Sequence, residues 1–243
     1  MMTVMKGDGY RMHADPDTAE MKFYPYALFD MDGTMTDSMP YWENVGAEYI
    51  RSKGMEPKPG LWETLSTRPY PEAALFVKED YGIMDAPENF ASEINRLMKL
   101  HYQYDIPLKP GVREYLKYLH ENGIKLGVCS ATAVHLVEMT LSRLDVLQYF
   151  DSITSCEEAG GMSKTEPDVF LLAMKRLGAE PEETVMYEDA PFGIKTAKKT
   201  GMIVCRVFDH SYQDAFDEAK KYYDCFVKDF SAVSFCPQER RHA

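Results

Sequence analysis

The sequence predicts a doubly wound α/β fold, a parallel sheet flanked by helices, with an all-helical domain inserted into it. Three observations predict it. Short apolar runs stop repeatedly at small or acidic residues, amphipathic stretches separate them, and one long interval, residues 37–107, holds helical patterns without a convincing strand. Apolar runs of that kind read as strands buried on both faces, and their alternation with helices implies crossover connections. A ligand site is then expected at the carboxyl ends of the strands.

Residues 1–22 are polar, rich in Asp and Gly and without apolar periodicity, and read as a flexible leader. The first strand is Tyr26-Ala27-Leu28-Phe29, stopping at Asp30-Met31-Asp32-Gly33-Thr34. Later runs are Lys125–Cys129 before Ser130, Phe150–Ser155, Thr184–Tyr187 before Glu188-Asp189, and Met202–Phe208 before Asp209. Between them lie Gly111–Asn122, with Val112, Tyr115, Leu116 and Leu119 on one face, then Ala133–Leu144, Asp168–Leu177 and Gly193–Thr200. Gly123, Gly178 and Gly201 stand where helix C-caps belong.

In the inserted interval, helical patterns cover Tyr41–Arg51, Glu72–Tyr81 and Glu88–Tyr104, punctuated by Pro57, Pro59, Pro69 and Pro71. The interval is too long for a loop and is expected to form a small domain over the sheet's carboxyl edge. The expected division is a leader at 1–22, an α/β core of 23–36 with 108–233, a helical cap at 37–107, and a polar tail at 234–243.

Composition narrows the function classes. Of 243 residues, 45% are apolar and 27% charged, as in soluble globular proteins. Lys and Arg total 27 against 39 Asp and Glu, and the net charge of -12 opposes a surface that grips nucleic acid through many phosphates. An anionic ligand therefore needs a local positive site. The five Cys form no CxxC pair, and their odd number favours a reduced, intracellular protein. No apolar run is long enough to span a membrane, and the N-terminus lacks the apolar stretch of a secretory signal. The expectation is a cytoplasmic protein, monomeric or weakly dimeric, with no nucleic-acid or membrane partner.

Asp30 and Asp32 flank a single residue, so in extended backbone both point to the same side. Two carboxylates sharing one space need a cation, or one must keep its proton. Mg²⁺ suits oxygen ligands and bridges carboxylate to phosphate. A bare Asp-x-Asp is otherwise common in loops and caps; here it terminates a buried strand and is followed by Gly33-Thr34.

The segment Phe29-Asp30-Met31-Asp32-Gly33-Thr34-Met35-Thr36-Asp37-Ser38 closely resembles the first motif of the haloacid-dehalogenase (HAD) superfamily. The second motif is similar to Val128-Cys129-Ser130-Ala131-Thr132, the third to Lys164 with Glu166-Pro167-Asp168, and the fourth to Tyr187-Glu188-Asp189-Ala190-Pro191-Phe192-Gly193. The resemblance is closest to the branch of β-phosphoglucomutase and phosphoglycolate phosphatase, which has a Rossmann-like core and an α-helical cap. It implies a Mg²⁺-dependent phosphatase acting on a small phosphorylated metabolite through an aspartyl-phosphate.

The resemblance also implies residue roles. Asp30 would be the nucleophile and Asp32 the acid and then the base. Ser130 and the backbone N–H of Ala131 would hold a phosphoryl oxygen, and Lys164 would offset the charge of Asp30 and the phosphoryl group. The metal would take Asp30, Asp32 through its carbonyl, Asp189 and Glu188. Arg68, in the cap, is the candidate for a second anionic group or a sugar hydroxyl. Each has a plainer reading: Ser130 or Thr132 as an N-cap, Lys164 as a solvated loop lysine, Glu188-Asp189 as an exposed turn, Arg68 capping a helix or pairing with Glu72. Tyr41 and Trp42 line the pocket or belong to the core, and His135 lies near the site or on a helix surface.

Within this superfamily Asp32 argues against dehalogenases and phosphonoacetaldehyde hydrolases, which lack a second Asp there. Trp42 stands where mutases of the branch carry a cap histidine. That leaves the phosphatase first, a β-phosphoglucomutase-like phosphotransferase second, and a non-catalytic sugar-phosphate-binding regulator third.

Overall fold

The computed structural model describes residues 11–13, 21–22, 24–66, 68–161, 163–214, 219–232 and 234–236. Two short strands, β1 (Arg11–His13) and β2 (Met21–Lys22), precede the central strand β3 (Tyr26–Phe29). The chain divides into two compact units, Met1–Thr36 with Leu108–Ala243, and Asp37–Pro107.

The second unit is helical: α1 (Met39–Ser52), α2 (Leu61–Leu65), α3 (Tyr70–Tyr81) and α4 (Pro87–Tyr104). α4 buries Phe90, Ile94, Met98 and Tyr102, a stripe at a spacing of four that lies along one helix face. α1 buries Val45, Gly46, Tyr49 and Ile50 against it. Tyr49 donates from its hydroxyl to Asp85 Oδ2 at 2.9 Å, which satisfies the one polar atom of a ring that is otherwise enclosed. The helix α2 lies outside the patterns read from the sequence, because five residues are too few to display a helical period.

The first unit continues with α5 (Val112–Glu121), β4 (Lys125–Ser130), α6 (Val134–Arg143), β5 (Ser152–Ser155), α7 (Asp168–Leu177), β6 (Thr184–Glu188), α8 (Pro191–Lys199), β7 (Ile203–Val207), β8 (Cys225–Val227) and β9 (Ser234–Cys236). Six strands pair in the order β5-β4-β3-β6-β7-β8, each pair parallel. This is the doubly wound sheet. The chain leaves β3 toward β4 and β5, then returns to β6 on the other side of β3, so the order reverses between β3 and β6. Ligands of such sheets bind at the strand ends beside that reversal.

Both faces of β3 are covered, which is why its sequence is apolar without alternation. Leu28 joins a core with Val169, Phe170 and Leu177 of α7 and Ile194 and Ala197 of α8. Phe29 points the other way, stacked on Tyr187 at 4.3 Å and edge-on to Tyr115 of α5 at 6.2 Å. The Tyr115 and Tyr187 hydroxyls hydrogen-bond each other, so neither buried ring leaves its polar atom alone. α7 stops at Gly178, whose φ of 67° is the left-handed cap conformation. Gly111, ahead of α5, has φ 78°, and a Cβ there would sit 2.1 Å from the Ser231 backbone nitrogen. Only glycine fits.

Strands β1, β2 and β9 form a separate antiparallel sheet in the order β2-β1-β9. The segments read as leader and tail therefore contribute paired strands, each too short to show an alternation in sequence. The rest of those segments, residues 1–10, 14–20 and 237–243, lies outside the described residues. Among the described residues no helix is long and apolar enough to cross a membrane.

Candidate active site

Asp30 is the first residue after β3, its backbone N–H bonded to the Tyr187 carbonyl at 3.0 Å, while Glu188 ends β6 and Asp189 follows it. Pairing of β3 with β6, Phe29 opposite Tyr187, brings the three carboxylates to the same edge. One oxygen from each lies within 4.8 Å of the others, and all three residues are buried. Lys164, 3% exposed, places Nζ 2.5 Å from Asp30 Oδ1 and 2.8 Å from Glu188 Oε2. Its loop position gave no sign of such burial.

The energetics of this cluster follow from removing charge from water. Burial pushes the Asp30 carboxyl up to about 8, Glu188 and Asp32 add to the rise, and Lys164 opposes it. Burial likewise raises Asp189 well above the usual carboxylate range, reinforced by Glu188 and Asp30 and resisted by Lys109 and the bond from Thr34. Lys164 runs the other way: burial disfavours its ammonium, yet Asp30 and Glu188 hold it protonated well above the ordinary lysine range. Three acids against one buried base leave the site short of positive charge.

The oxygen atoms say where a cation fits. Glu188 Oε1 accepts from the Ala190 N–H at 3.1 Å and Oε2 from Lys164, whereas Asp189 Oδ1 accepts from Thr34 Oγ1 at 2.8 Å. Asp189 Oδ2 is buried and, among the described residues, has no hydrogen-bond partner. A buried carboxylate oxygen without a donor is costly, and an all-oxygen set beside it suits a hard divalent ion such as Mg²⁺. These residues fit the metal.

Asp32, half-buried, stands apart from that trio; its Oδ2 accepts from Thr132 Oγ1 at 2.7 Å. Ser130, fully buried at the end of β4, accepts the Thr132 N–H on Oγ at 3.1 Å. Neither Ser130 nor Thr132 caps α6, whose N-cap is Ala133 without a side-chain bond. Ala131, exposed, follows Ser130 directly. Arg68 lies in the helical unit, where its guanidinium donates to the Thr64 carbonyl and sits 5.4 Å over the Phe76 ring. In the same unit the Tyr41 ring packs 4.9 Å from that of His101, and Trp42 Nε1 donates to the Tyr102 hydroxyl at 3.2 Å. His135 is exposed on α6. Cys129, Cys156, Cys205 and Cys225 are buried thiols, and burial raises the Cys129 thiol, which disfavours a thiolate nucleophile.

Several supporting residues escaped the sequence reading. Thr34 orients Asp189, and Thr132 orients Asp32. Gly193, in the first turn of α8, leaves the room Glu188 occupies, since a Cβ there would lie 2.7 Å from Glu188 Cδ. Lys109 Nζ donates to the Gly33 carbonyl, to the Phe208 carbonyl at 2.8 Å and to Asp209 Oδ2 at 2.8 Å, tying the loop after β3 to that after β7. The threonines and the glycine sit inside the quoted motifs, a signal that was present; Lys109 has no local signal.

A doubly wound sheet with acids at its reversal point, a buried lysine and a hydroxyl at the next strand end defines a class of phosphoryl-transfer enzymes. The chain belongs to the haloacid dehalogenase-like hydrolase family, whose profile matches residues 27–207. Its relatives include the phosphorylated carbohydrates phosphatase of Thermotoga maritima, 29% identical over 187 residues that cover 77% of this chain and 86% of that protein. Hexitol phosphatase B of Escherichia coli is 31% identical over 179 residues, covering 72% of this chain and 80% of the relative. A crystal structure from Thermotoga maritima, provisionally described as a β-phosphoglucomutase, superposes with a TM-score of 0.74 at 27% identity, covering 85% of this chain and 95% of the other.

Proposed function

We propose that the protein is a Mg²⁺-dependent phosphomonoester hydrolase that acts on a small phosphorylated sugar or related metabolite through a phosphoryl group carried on Asp30. The observation that carries the reading is the buried trio Asp30, Glu188 and Asp189, with Lys164 against two of its members and one Asp189 oxygen lacking a donor among the described residues. The names of the two phosphatase relatives, both concerned with phosphorylated carbohydrate or hexitol, support the substrate class.

The chemistry divides among residues already placed. An Asp30 oxygen attacks phosphorus in line with the ester oxygen, which leaves with the proton that Asp32 supplies. Asp32 then removes a proton from water, which attacks the Asp30-phosphate and releases phosphate. Thr132 holds one oxygen of Asp32 throughout, so the proton travels through a fixed carboxyl group. Ser130 Oγ accepts from the Thr132 N–H and offers its own hydrogen to a phosphoryl oxygen, beside the N–H of Ala131. Lys164 keeps its charge at these buried positions and offsets that of the incoming phosphoryl group. The metal, held by Asp30, Asp189 and Glu188 with the Asp32 carbonyl, supplies further positive charge to the phosphoryl oxygens when bound.

The test is a panel of phosphomonoesters with Mg²⁺, with Asp30→Asn as the blank. Phosphate release by the wild type alone supports the reading; binding without release across the panel contradicts it and favours a regulator. The solved neighbour named for a mutase keeps one other reading in play, transfer of the phosphoryl group to a second sugar hydroxyl. A hexose 1-phosphate converted to its 6-phosphate without free phosphate would favour that reading.

A further inference from the structure

The turn that follows β7 lies outside the four motifs, yet its bonds fix it beside the strand-end acids of the same unit. β7 pairs with β6 so that Arg206 stands opposite Glu188, and register partners on neighbouring strands project to the same face of a sheet. Arg206 is fully buried; its Nη2 donates to the Tyr212 carbonyl at 3.0 Å, and its guanidinium lies 6.0 Å over the Tyr223 ring. That bond draws the short helical turn His210–Tyr212 back over the end of its own strand. Ahead of the turn, Asp209 accepts from the Ser211 N–H at 2.9 Å and from Lys109, whose ammonium also reaches the Gly33 carbonyl. The turn is thus tied to β7 on one side and to the loop after Asp30 and Asp32 on the other.

The side chain of Tyr212 is the second observation. Its residue is half-buried, its N–H and carbonyl are engaged by Asp209 and Arg206, and among the described residues its hydroxyl has no hydrogen-bond partner. Burial, and after it the charges of Asp189, Glu188, Asp30 and Asp209, push the phenol above the usual tyrosine range, so it stays an O–H donor. The acids that act on it include the trio around which the phosphoryl group is handled. A further lysine in such company would pair with a carboxylate, whereas a neutral hydroxyl remains available to an anion. Ser130 ends β4 and Lys164 follows β5, both on one side of β3, while Tyr212 follows β7 on the other. It supplies a donor from the side that those two residues leave open.

We propose, on the hydrolase reading of this site, that the Tyr212 hydroxyl donates a hydrogen bond to an oxygen of the bound phosphoryl group. The experiment compares the full chain with its Tyr212→Phe variant, which loses one oxygen and keeps the ring. Calorimetry measures the binding of inorganic phosphate with Mg²⁺ present, and kcat/KM is taken for several phosphomonoesters. Phosphate binding is expected to weaken by about tenfold to a hundredfold, the range for a hydrogen bond to a charged group. A fall in kcat/KM by a similar factor is expected whatever the organic part of the ester. The melting temperature without ligand is expected to stay unchanged, because the hydroxyl serves no partner in the fold. Equal phosphate affinity in the two proteins overturns the proposal, and so does a lower ligand-free melting temperature in the variant. A loss confined to some esters at unchanged phosphate affinity also overturns it, since the contact is then with the organic part. Phosphate binding is read without turnover, which separates the two readings. Turnover by the wild type with equal phosphate affinity in Tyr212→Phe sinks this proposal alone; binding that depends on Tyr212 in a chain that hydrolyses nothing upholds the contact and sinks the hydrolase.

Discussion

Asp30, Glu188 and Asp189 crowd three acids into space from which water is largely excluded, and Lys164 touches two of them. Removing the cation leaves buried charge uncompensated. Lys164→Met is therefore expected to abolish turnover and to lower unfolding stability by about 3–5 kcal/mol in denaturant melts; a variant as stable as the wild type would contradict the role given to the pair. Asp32→Asn keeps the shape and removes the proton relay, so kcat is expected to fall by roughly 10²–10⁴ with little change in substrate binding. Thr132→Val should act in the same direction and less strongly, lowering kcat more than it alters KM, because it loosens Asp32 without removing it. Gly193→Ala forces the Glu188 carboxylate aside, at a cost of about 1–3 kcal/mol typical of overpacking.

Elements carry the residues to these positions, and the sequence revealed them unevenly. β3, β4, β6 and α7 were legible because each is long enough to show its apolar pattern and ends in a recognisable stop; α7 runs over Asp168–Leu177 with Gly178 as its cap. β8 and the strands at the two ends of the chain, of two or three residues each, and α2, a helix of five, were not, since runs so short do not display their period. Acids at strand ends were legible as candidates, but the threonines that orient them do so across 100 residues or more, as Thr132 with Asp32 and Thr34 with Asp189. The helical unit contains one pH-dependent clamp of this hidden kind. His101 of α4 bonds Asp105 Oδ2 through Nδ1 at 2.7 Å and Glu48 Oε2 of α1 through Nε2 at 2.9 Å. Burial alone would lower its pKa, yet the two carboxylates raise it above 6.5. The stabilisation is then fully present below the unfolded value and is lost as pH rises through the higher folded one. Thermal melts of wild type against His101→Gln should differ most near pH 6 and converge under alkaline conditions; a constant difference would show that the ring acts only by packing.

For the whole molecule, a net charge of -12 places no general attraction on a phosphorylated substrate, so the local cation sites do that work. A divalent ion that binds the folded chain alone must also stabilise it, by about 2.7 kcal/mol at a hundredfold excess over Kd. Mg²⁺ should raise the melting temperature of the wild type and not of Asp189→Asn, and chelation should stop phosphate release. The most direct measurement of the central claim is chemical trapping of the phosphorylated enzyme. Borohydride added during turnover reduces an aspartyl-phosphate to homoserine, and peptide mass spectrometry then reads the position. The account predicts homoserine at position 30 and only with substrate and Mg²⁺ present. Sustained phosphate release with residue 30 recovered solely as unmodified aspartate would contradict it.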